Sequence, residues 1–380
     1  MRYLPIAAIA VATTLAGTAH AQETIKIGVI TDKVGPAKFY AEPVTQGIEL
    51  AAKIINAKGG VLGKKIELVI EDDQAKPDVS AAKARKLVDD GVVMIMSNTS
   101  STATQQAQTV SLETKTPHYT PANSSDQLTT ALNNPYFWQT GPLASIQLNT
   151  LMAFAKTKNL KSVAIVRDNS ALSQSIGDSF KTGLSGLGVK VAAEEVIPQG
   201  ATSAVANLQK VRAEKVDAIF QAGILGAEMT QFFNAYHQLG MTKTPIMASY
   251  NLSIPAYLTM AKDLMDGVTF VDAFDPSKPE AMAFIDIYKK EYGSVPFSLP
   301  AYGYDGLHLV AAAITKAGSL DKEKIRAAMQ STQGFVGAIG AKGSSWGFSD
   351  GKRAGFDPNG AVVRVIKDHT HGPVVHSGAK

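Results

Sequence analysis

The stretch Ile25-Lys26-Ile27-Gly28-Val29-Ile30, followed by Thr31-Asp32-Lys33-Val34-Gly35-Pro36, decides the fold. A short run rich in β-branched residues reads as a strand, and a loop of turn formers ends it. Working outward, residues 45–58 repeat Ile48, Ala51, Ala52 and Ile55 at helical spacing, with Gly59-Gly60 where a C-cap needs glycine. Residues 66–70 form the next strand and run into Glu71-Asp72-Asp73. Residues 77–90 form the next helix, with Asp78 or Ser80 as its N-cap. Strands at 92–96, 118–120 and 136–140 follow. Continuous apolar strands separated by helices belong to a parallel sheet covered on both faces.

The rhythm then restarts. Helices at 146–157, 173–186, 203–213 and 227–239 alternate with strands at 162–166, 189–196, 217–220 and 245–248. Two such runs predict an α/β protein of two doubly wound lobes. After Tyr250 the pattern loosens: a strand at 268–271, helices at 279–292, 301–317 and 322–329, a Gly-rich stretch at 334–351, and a strand at 362–366. The polar residues beyond Asp368 carry no periodicity and read as disordered.

Ahead of the first strand, Arg2 precedes an apolar run over 4–15 and then Gly17-Thr18-Ala19-His20-Ala21. Ala19 and Ala21 give the small-x-small pattern that signal peptidase reads. The run is shorter than the roughly 20 residues a membrane helix needs. Residues 1–21 therefore read as a signal peptide cleaved after Ala21. The chain has no cysteine, so thiolate metal sites, disulfides and a lipid-anchored N-terminus are excluded. An exported, unanchored protein is useful to a cell when a compartment retains it, so the periplasm is expected, with secretion to the medium as the alternative. With 37 basic against 33 acidic residues and no basic block, nucleic acid is not an expected partner.

Two loops carry the binding chemistry. Asn98-Thr99-Ser100-Ser101-Thr102 follows the third strand and opens a helix, which offers hydroxyls and free N–H groups to an anion. Pro121-Ala122-Asn123-Ser124-Ser125-Asp126 follows the next strand. Ligands of open α/β sheets sit at such strand ends, and the two loops can converge on one carboxylate. Catalytic signatures are poor. Gly177-Asp178-Ser179-Phe180 lies within a helix, no phosphate loop or dinucleotide fingerprint is present, and no cofactor is expected. His369, His371 and His376 in the tail leave metal binding open.

The order Ile-Lys-Ile-Gly-Val-Ile, Gly35-Pro36, helix, Asn56-Ala57-Lys58-Gly59-Gly60-Val61-Leu62-Gly63-Lys64-Lys65, then Glu71-Asp72-Asp73, resembles the periplasmic leucine/isoleucine/valine-binding protein family. These are type I solute receptors of branched-chain amino acid ABC importers, and the resemblance spans about 25–366. It implies two lobes joined by a three-stranded hinge, with crossovers near 141, 272 and 335. Lobe 1 would hold 22–141 plus 273–335, and lobe 2 would hold 142–272 plus 336–380. The resemblance places the ligand's carboxylate on Ser101, Ala122 and Ser124, beside Asn123, with Tyr40 lining the pocket. On the second lobe it points to Leu172, to Gly223 within the stretch 222–225, and to Tyr250. It further implies a monomer that hands its ligand to an inner-membrane ABC permease.

One departure bears on the ligand. Amino-acid receptors of the family place an acidic side chain after the strand at 245–248 to meet the α-ammonium, and here Tyr250 stands there. A buried ammonium without an anion is costly. A carboxylate with a hydrophobic or aromatic body is therefore expected, with a branched-chain amino acid or a short amide as alternatives. If an ammonium binds, another acidic residue, such as Glu228 or Asp305, would meet it, or the position matched to Tyr250 would be shifted. Two other classes remain: a sensor that presents ligand to a membrane kinase or chemoreceptor, and a periplasmic hydrolase. The hydrolase would need a nucleophile with a histidine in reach at a strand end, and no such pair is legible.

Overall fold

The computed structural model describes residues 23–224 and 226–378. The expected leader, residues 1–21, lies outside the described residues, as does Leu225. Strands β1 (Ile25–Thr31), β2 (Ile66–Asp72), β3 (Met94–Asn98), β4 (His118–Thr120) and β5 (Phe137–Gln139) form one sheet in the order β2-β1-β3-β4-β5. All of its pairs are parallel. Side chains of a strand alternate between faces, and here both faces are apolar. Ile27 and Val29 enter one cluster with helices α1 (Lys38–Ala57), α9 (Pro279–Tyr292), α10 (Ser298–Ala317) and α11 (Lys322–Gln330). Ile30 and Ile95 face helices α2 (Pro77–Asp89) and α3 (Ser101–Glu113). Lys76 stands at the N-cap of α2, with Pro77 inside the first turn, so neither Asp78 nor Ser80 caps it.

The second sheet runs β12-β11-β10-β9-β8-β6-β7. Its parallel strands are β6 (Ser162–Asp168), β7 (Lys190–Ile197), β8 (Ala218–Ala222), β9 (Ile246–Ala248) and β10 (Thr269–Asp272). Val163 and Ile165 pack beneath α4 (Ala144–Lys156) and α5 (Ala171–Gly186). Ala164 and Val166 pack with α6 (Val205–Ala213) and α7 (Gly226–Gln238) on the opposite face. A short helix, α8 (Pro255–Ala261), follows β9. Strands β11 (Val362–Lys367) and β12 (Thr370–Ser377) close the sheet in antiparallel fashion. The tail that reads as disordered is thus a strand: its alternating burial follows the period of 2, which a stretch containing Gly372 and Pro373 concealed.

The chain passes between the sheets after β5, after β10 and before β11. The last passage falls later than residue 335. Ala338, Ile339, Trp346, Phe348 and Phe356 belong to the first core cluster, and the Arg353–Gly355 backbone exchanges hydrogen bonds with Gln139 at the edge of β5. Most of 336–361, expected with the second lobe, therefore packs on the first. The aromatic residues drive this: Trp346 and Phe348 are fully buried there, Phe348 beside Trp138. Lys278, itself buried, donates to the Ile339 carbonyl at 3.0 Å and so ties the second passage to the stretch that leads to the third.

Candidate functional site

Polar loops follow the carboxyl ends of the strands in both sheets, and Tyr250, after β9, packs against the first lobe's core cluster. On the first lobe, Thr31, Asn98, Thr120 and Gln139 end neighbouring strands. Asn98 Nδ2 donates to Ala41 O at 2.9 Å and to Thr45 Oγ1 at 2.7 Å, which fixes the start of α1, and with it Tyr40, to the loop after β3. Ser100 caps α3 by accepting from Ala103 N, so Ser101 opens the helix. Ser101 Oγ donates to Asn123 Oδ1 at 3.1 Å, and Asn123 Nδ2 shares its hydrogens among Thr99 O, Thr104 Oγ1 and Thr120 Oγ1. The structure thus joins the two hydroxyl-rich loops through Asn123, whose amide is spent on that brace.

Ala122, within the second loop, is buried. A Cβ on Gly141 would lie 2.1 Å from Asn123 O, so only glycine lets the first passage run this close. The Ser124 carbonyl accepts from Ala144 N at 2.8 Å, while the half-buried Ser124 hydroxyl has no hydrogen-bond partner among the described residues. That hydroxyl is available to a ligand.

On the second lobe a chain of hydrogen bonds links three loops. Ser173 Oγ donates to Gly223 O at 2.7 Å, Gly223 N donates to Ser249 Oγ at 3.0 Å, and Asn251 Nδ2 donates to Ile224 O at 2.9 Å. Gly223 adopts φ +70°, where a Cβ would press 2.8 Å from Ile176. Both of its backbone polar groups are taken, so it shapes the loop that holds Tyr250. Leu172 is 43 % exposed beside Ser173. Tyr250 is half-buried and packs against the first lobe's core cluster, as does Tyr40. Burial pushes both phenols above the usual tyrosine range, and the nearby Tyr250 adds to the rise at Tyr40. Tyr302 joins them on α10, and no local signal marks it in the sequence.

The acidic candidates are committed elsewhere. Glu228 Oε1 accepts from Gly200 N at 2.5 Å. Asp305 accepts from Ala338 N at 2.9 Å and Ile339 N at 2.7 Å; burial pushes its pKa up to about 6 against the pull of those two donors. Asp272 pairs with Arg364 at 3.1 Å, both side chains being almost fully buried. The tail histidines are spread along the β11–β12 hairpin. His371 bonds Leu252 O, His376 lies against Phe154, and His369 N donates to Asp266. Among the described residues no group of three acidic or histidine side chains could hold a metal ion.

A serine–histidine pair does exist where the sequence shows none. Ser97 Oγ lies 2.6 Å from His118 Nε2, across neighbouring strands. Both residues are fully buried, and no carboxylate bonds His118 Nδ1, which is unpartnered. A substrate cannot reach this pair. Ser179, in the hydrolase-like tetrad, donates to Ser175 O within α5. Burial pushes the His118 pKa down to about 3. The unfolded imidazole takes a proton near pH 6.5 that the native one refuses, so the contribution present above that pH is lost as pH falls toward 3. The urea midpoint should drop from pH 7 to pH 4, and His118→Gln should flatten that drop; an unaltered slope would clear His118 of the effect. His308, pushed down to about 4, adds to the slope in the same direction.

A cavity of about 460 Å3 opens at the other, amino-terminal end of the second sheet, between Phe154, Lys158, Asp217 and Met247. It shares no residue with the loops above.

Residues 24–368 match the family model described as periplasmic binding protein. A Leu/Ile/Val-binding protein of Rhizobium johnstonii is 28 % identical over 345 residues, covering 88 % of this chain and 90 % of the relative. A leucine-, isoleucine-, valine-, threonine- and alanine-binding protein of Pseudomonas aeruginosa is 28 % identical over 329 residues, with 85 % and 86 % covered. Two crystal structures share the fold. The substrate-binding protein of a branched-chain amino acid transporter from Streptococcus pneumoniae, in complex with isoleucine, has a TM-score of 0.78 at 24 % identity, covering 94 % of this chain and 99 % of its own. A solute-binding protein of an ABC transporter from Rhodopseudomonas palustris, in complex with 3,4-dihydroxybenzoic acid, has a TM-score of 0.75 at 23 % identity, with 93 % and 97 % covered. With two parallel-sheet lobes and its polar loops gathered at the strand ends between them, this chain belongs to the periplasmic binding protein family, a family of solute receptors and not of enzymes.

Proposed function

We propose that this protein captures a small carboxylate-bearing solute, with a hydrophobic or aromatic body, between its lobes and delivers it to an inner-membrane ABC permease. One observation carries the reading. The first-lobe loops offer the unpartnered Ser124 hydroxyl and, once it turns from Asn123 Oδ1, that of Ser101, whereas the second-lobe loop Ser249-Tyr250-Asn251 carries no charge and Glu228 and Asp305 are engaged elsewhere. Ligand meets the first lobe, and hinge closure buries it against the second by shifting the population toward the form that contacts both sides. Both ligand chemistries occur on this fold, as an isoleucine complex and a dihydroxybenzoic acid complex. The curated relatives' names favour a second reading, a branched-chain amino acid. The mature chain starts at Gln22 in this proposal and works as a monomer in the periplasm.

A thermal-shift screen of the mature protein against aromatic acids, branched-chain amino acids and short amides tests the choice. A ligand at 100 times its Kd adds about 2.7 kcal/mol of stability. Ser101→Ala and Ser124→Ala should each weaken carboxylate binding by about 1.5–3 kcal/mol, since each deletes a hydrogen bond to a charged group. Calorimetric titration reads this directly, and unchanged affinity in both variants would remove the carboxylate from these loops.

A further inference from the structure

Three phenols meet where the lobes face each other. Tyr40 stands in the first turn of α1, Tyr302 in the second turn of α10, and Tyr250 directly follows β9 on the other lobe. The helices α1 and α10 touch backbone to backbone at Gly47 and Gly303, which fixes the first two rings relative to one another. Tyr302 is part of the first core cluster, and Tyr40 and Tyr250 pack onto it. The Tyr40 hydroxyl is buried without a hydrogen-bond partner among the described residues. The Tyr250 and Tyr302 hydroxyls likewise take no partner among them. Native proteins pair their buried polar groups, so a buried Tyr40 hydroxyl with no partner among the described residues calls for one from outside the chain.

The chemistry of that partner follows from the surroundings. Burial raises the pKa of all three phenols, and proximity among them adds to the rise at Tyr40 and Tyr302. Each is therefore neutral, able to donate one hydrogen bond and to accept others. Asp272 is the nearby anion and acts on Tyr302, but its own oxygens are filled by Arg364 Nη1 at 3.1 Å and by Ala273 N at 2.8 Å. Paired in this way, Asp272 and Arg364 offer the phenols neither a free carboxylate nor a free guanidinium, and the partner of Tyr40 is left to the ligand.

We infer that Tyr40, Tyr250 and Tyr302 read a phenolic hydroxyl on the body of the ligand. This rests on the aromatic-acid reading above and narrows it. A ligand without the hydroxyl leaves the buried Tyr40 oxygen without that partner, and such a site discriminates against it.

Calorimetric titration with two matched pairs tests the inference: benzoate against 4-hydroxybenzoate, and phenylacetate against 4-hydroxyphenylacetate. The hydroxylated member of at least one pair should bind about tenfold tighter or more. Tyr40→Phe should bring that ratio close to one, whereas Ser101→Ala should weaken both members and keep the ratio. Equal affinities within both pairs would overturn the inference and leave the acid receptor standing. A ratio that survives in Tyr40→Phe, Tyr250→Phe and Tyr302→Phe alike would overturn it too. If no member of either pair binds while leucine does, the aromatic-acid reading fails and the inference falls with it.

Discussion

Gly303→Ala should destabilise the protein by about 3 kcal/mol or more, at the upper end of what overpacking costs. A Cβ at Gly303 would stand 1.9 Å from Val44 O, and a Cβ at Gly47 would stand 1.9 Å from Pro300 O. Both obstacles are backbone atoms of helices, so no rotamer change relieves them and α1 must part from α10. Intrinsic propensity argues the other way, since alanine is favoured over glycine inside a helix by about 1 kcal/mol. The sign of the measured effect therefore decides between close helix contact and an ordinary exposed helix. Urea denaturation gives the answer, and a midpoint that stays or rises would mean that the two helices do not touch. The same substitution should weaken ligand binding, because α1 carries Tyr40 and α10 carries Tyr302.

The two glycines also mark where sequence reading runs out. Each lies within an apolar helical pattern, and the pattern alone gives it only a cost; its purpose appears when a second helix, distant in the chain, lies against it. Local signals fare better. The expected span of α9 matches Pro279–Tyr292 because Pro279 opens it and Gly293, at φ +69°, closes it. Helix α1 begins seven residues before the expected 45, since Pro43 reads as a breaker yet sits inside the helix. The loops with Ser101 and Ser124, and the position of Tyr250, are legible because each directly follows a strand, where ligands of such sheets bind. Tyr302 and the Ser97–His118 pair are not, because only strand order and helix packing bring their partners near. The stretch 336–361 has no period at all; burial of Trp346, Phe348 and Phe356 decides which lobe it joins.

Tyr250→Glu should reverse the ligand preference of the protein. In the wild type, hydrophobic aromatic carboxylates should bind with a Kd of about 1 μM or tighter, equivalent to about −8 kcal/mol. Leucine, isoleucine and valine should bind at least about a hundredfold more weakly, because the ammonium would be buried beside neutral groups. Glu228 cannot meet it without releasing Gly200 N, nor Asp305 without releasing Ala338 and Ile339. If Tyr250 faces the ligand as proposed, a glutamate at 250 puts an anion there, so the ammonium gains a charge-assisted partner while an aromatic acid meets repulsion and loses a neutral phenol. Titration of both proteins with leucine and with 4-hydroxybenzoate measures the crossover. Tight leucine binding by the wild type, with no response to the aromatic acid, would sink the aromatic-acid reading. Glu228→Gln and Asp305→Asn would then show which carboxylate leaves its backbone donors to hold the ammonium.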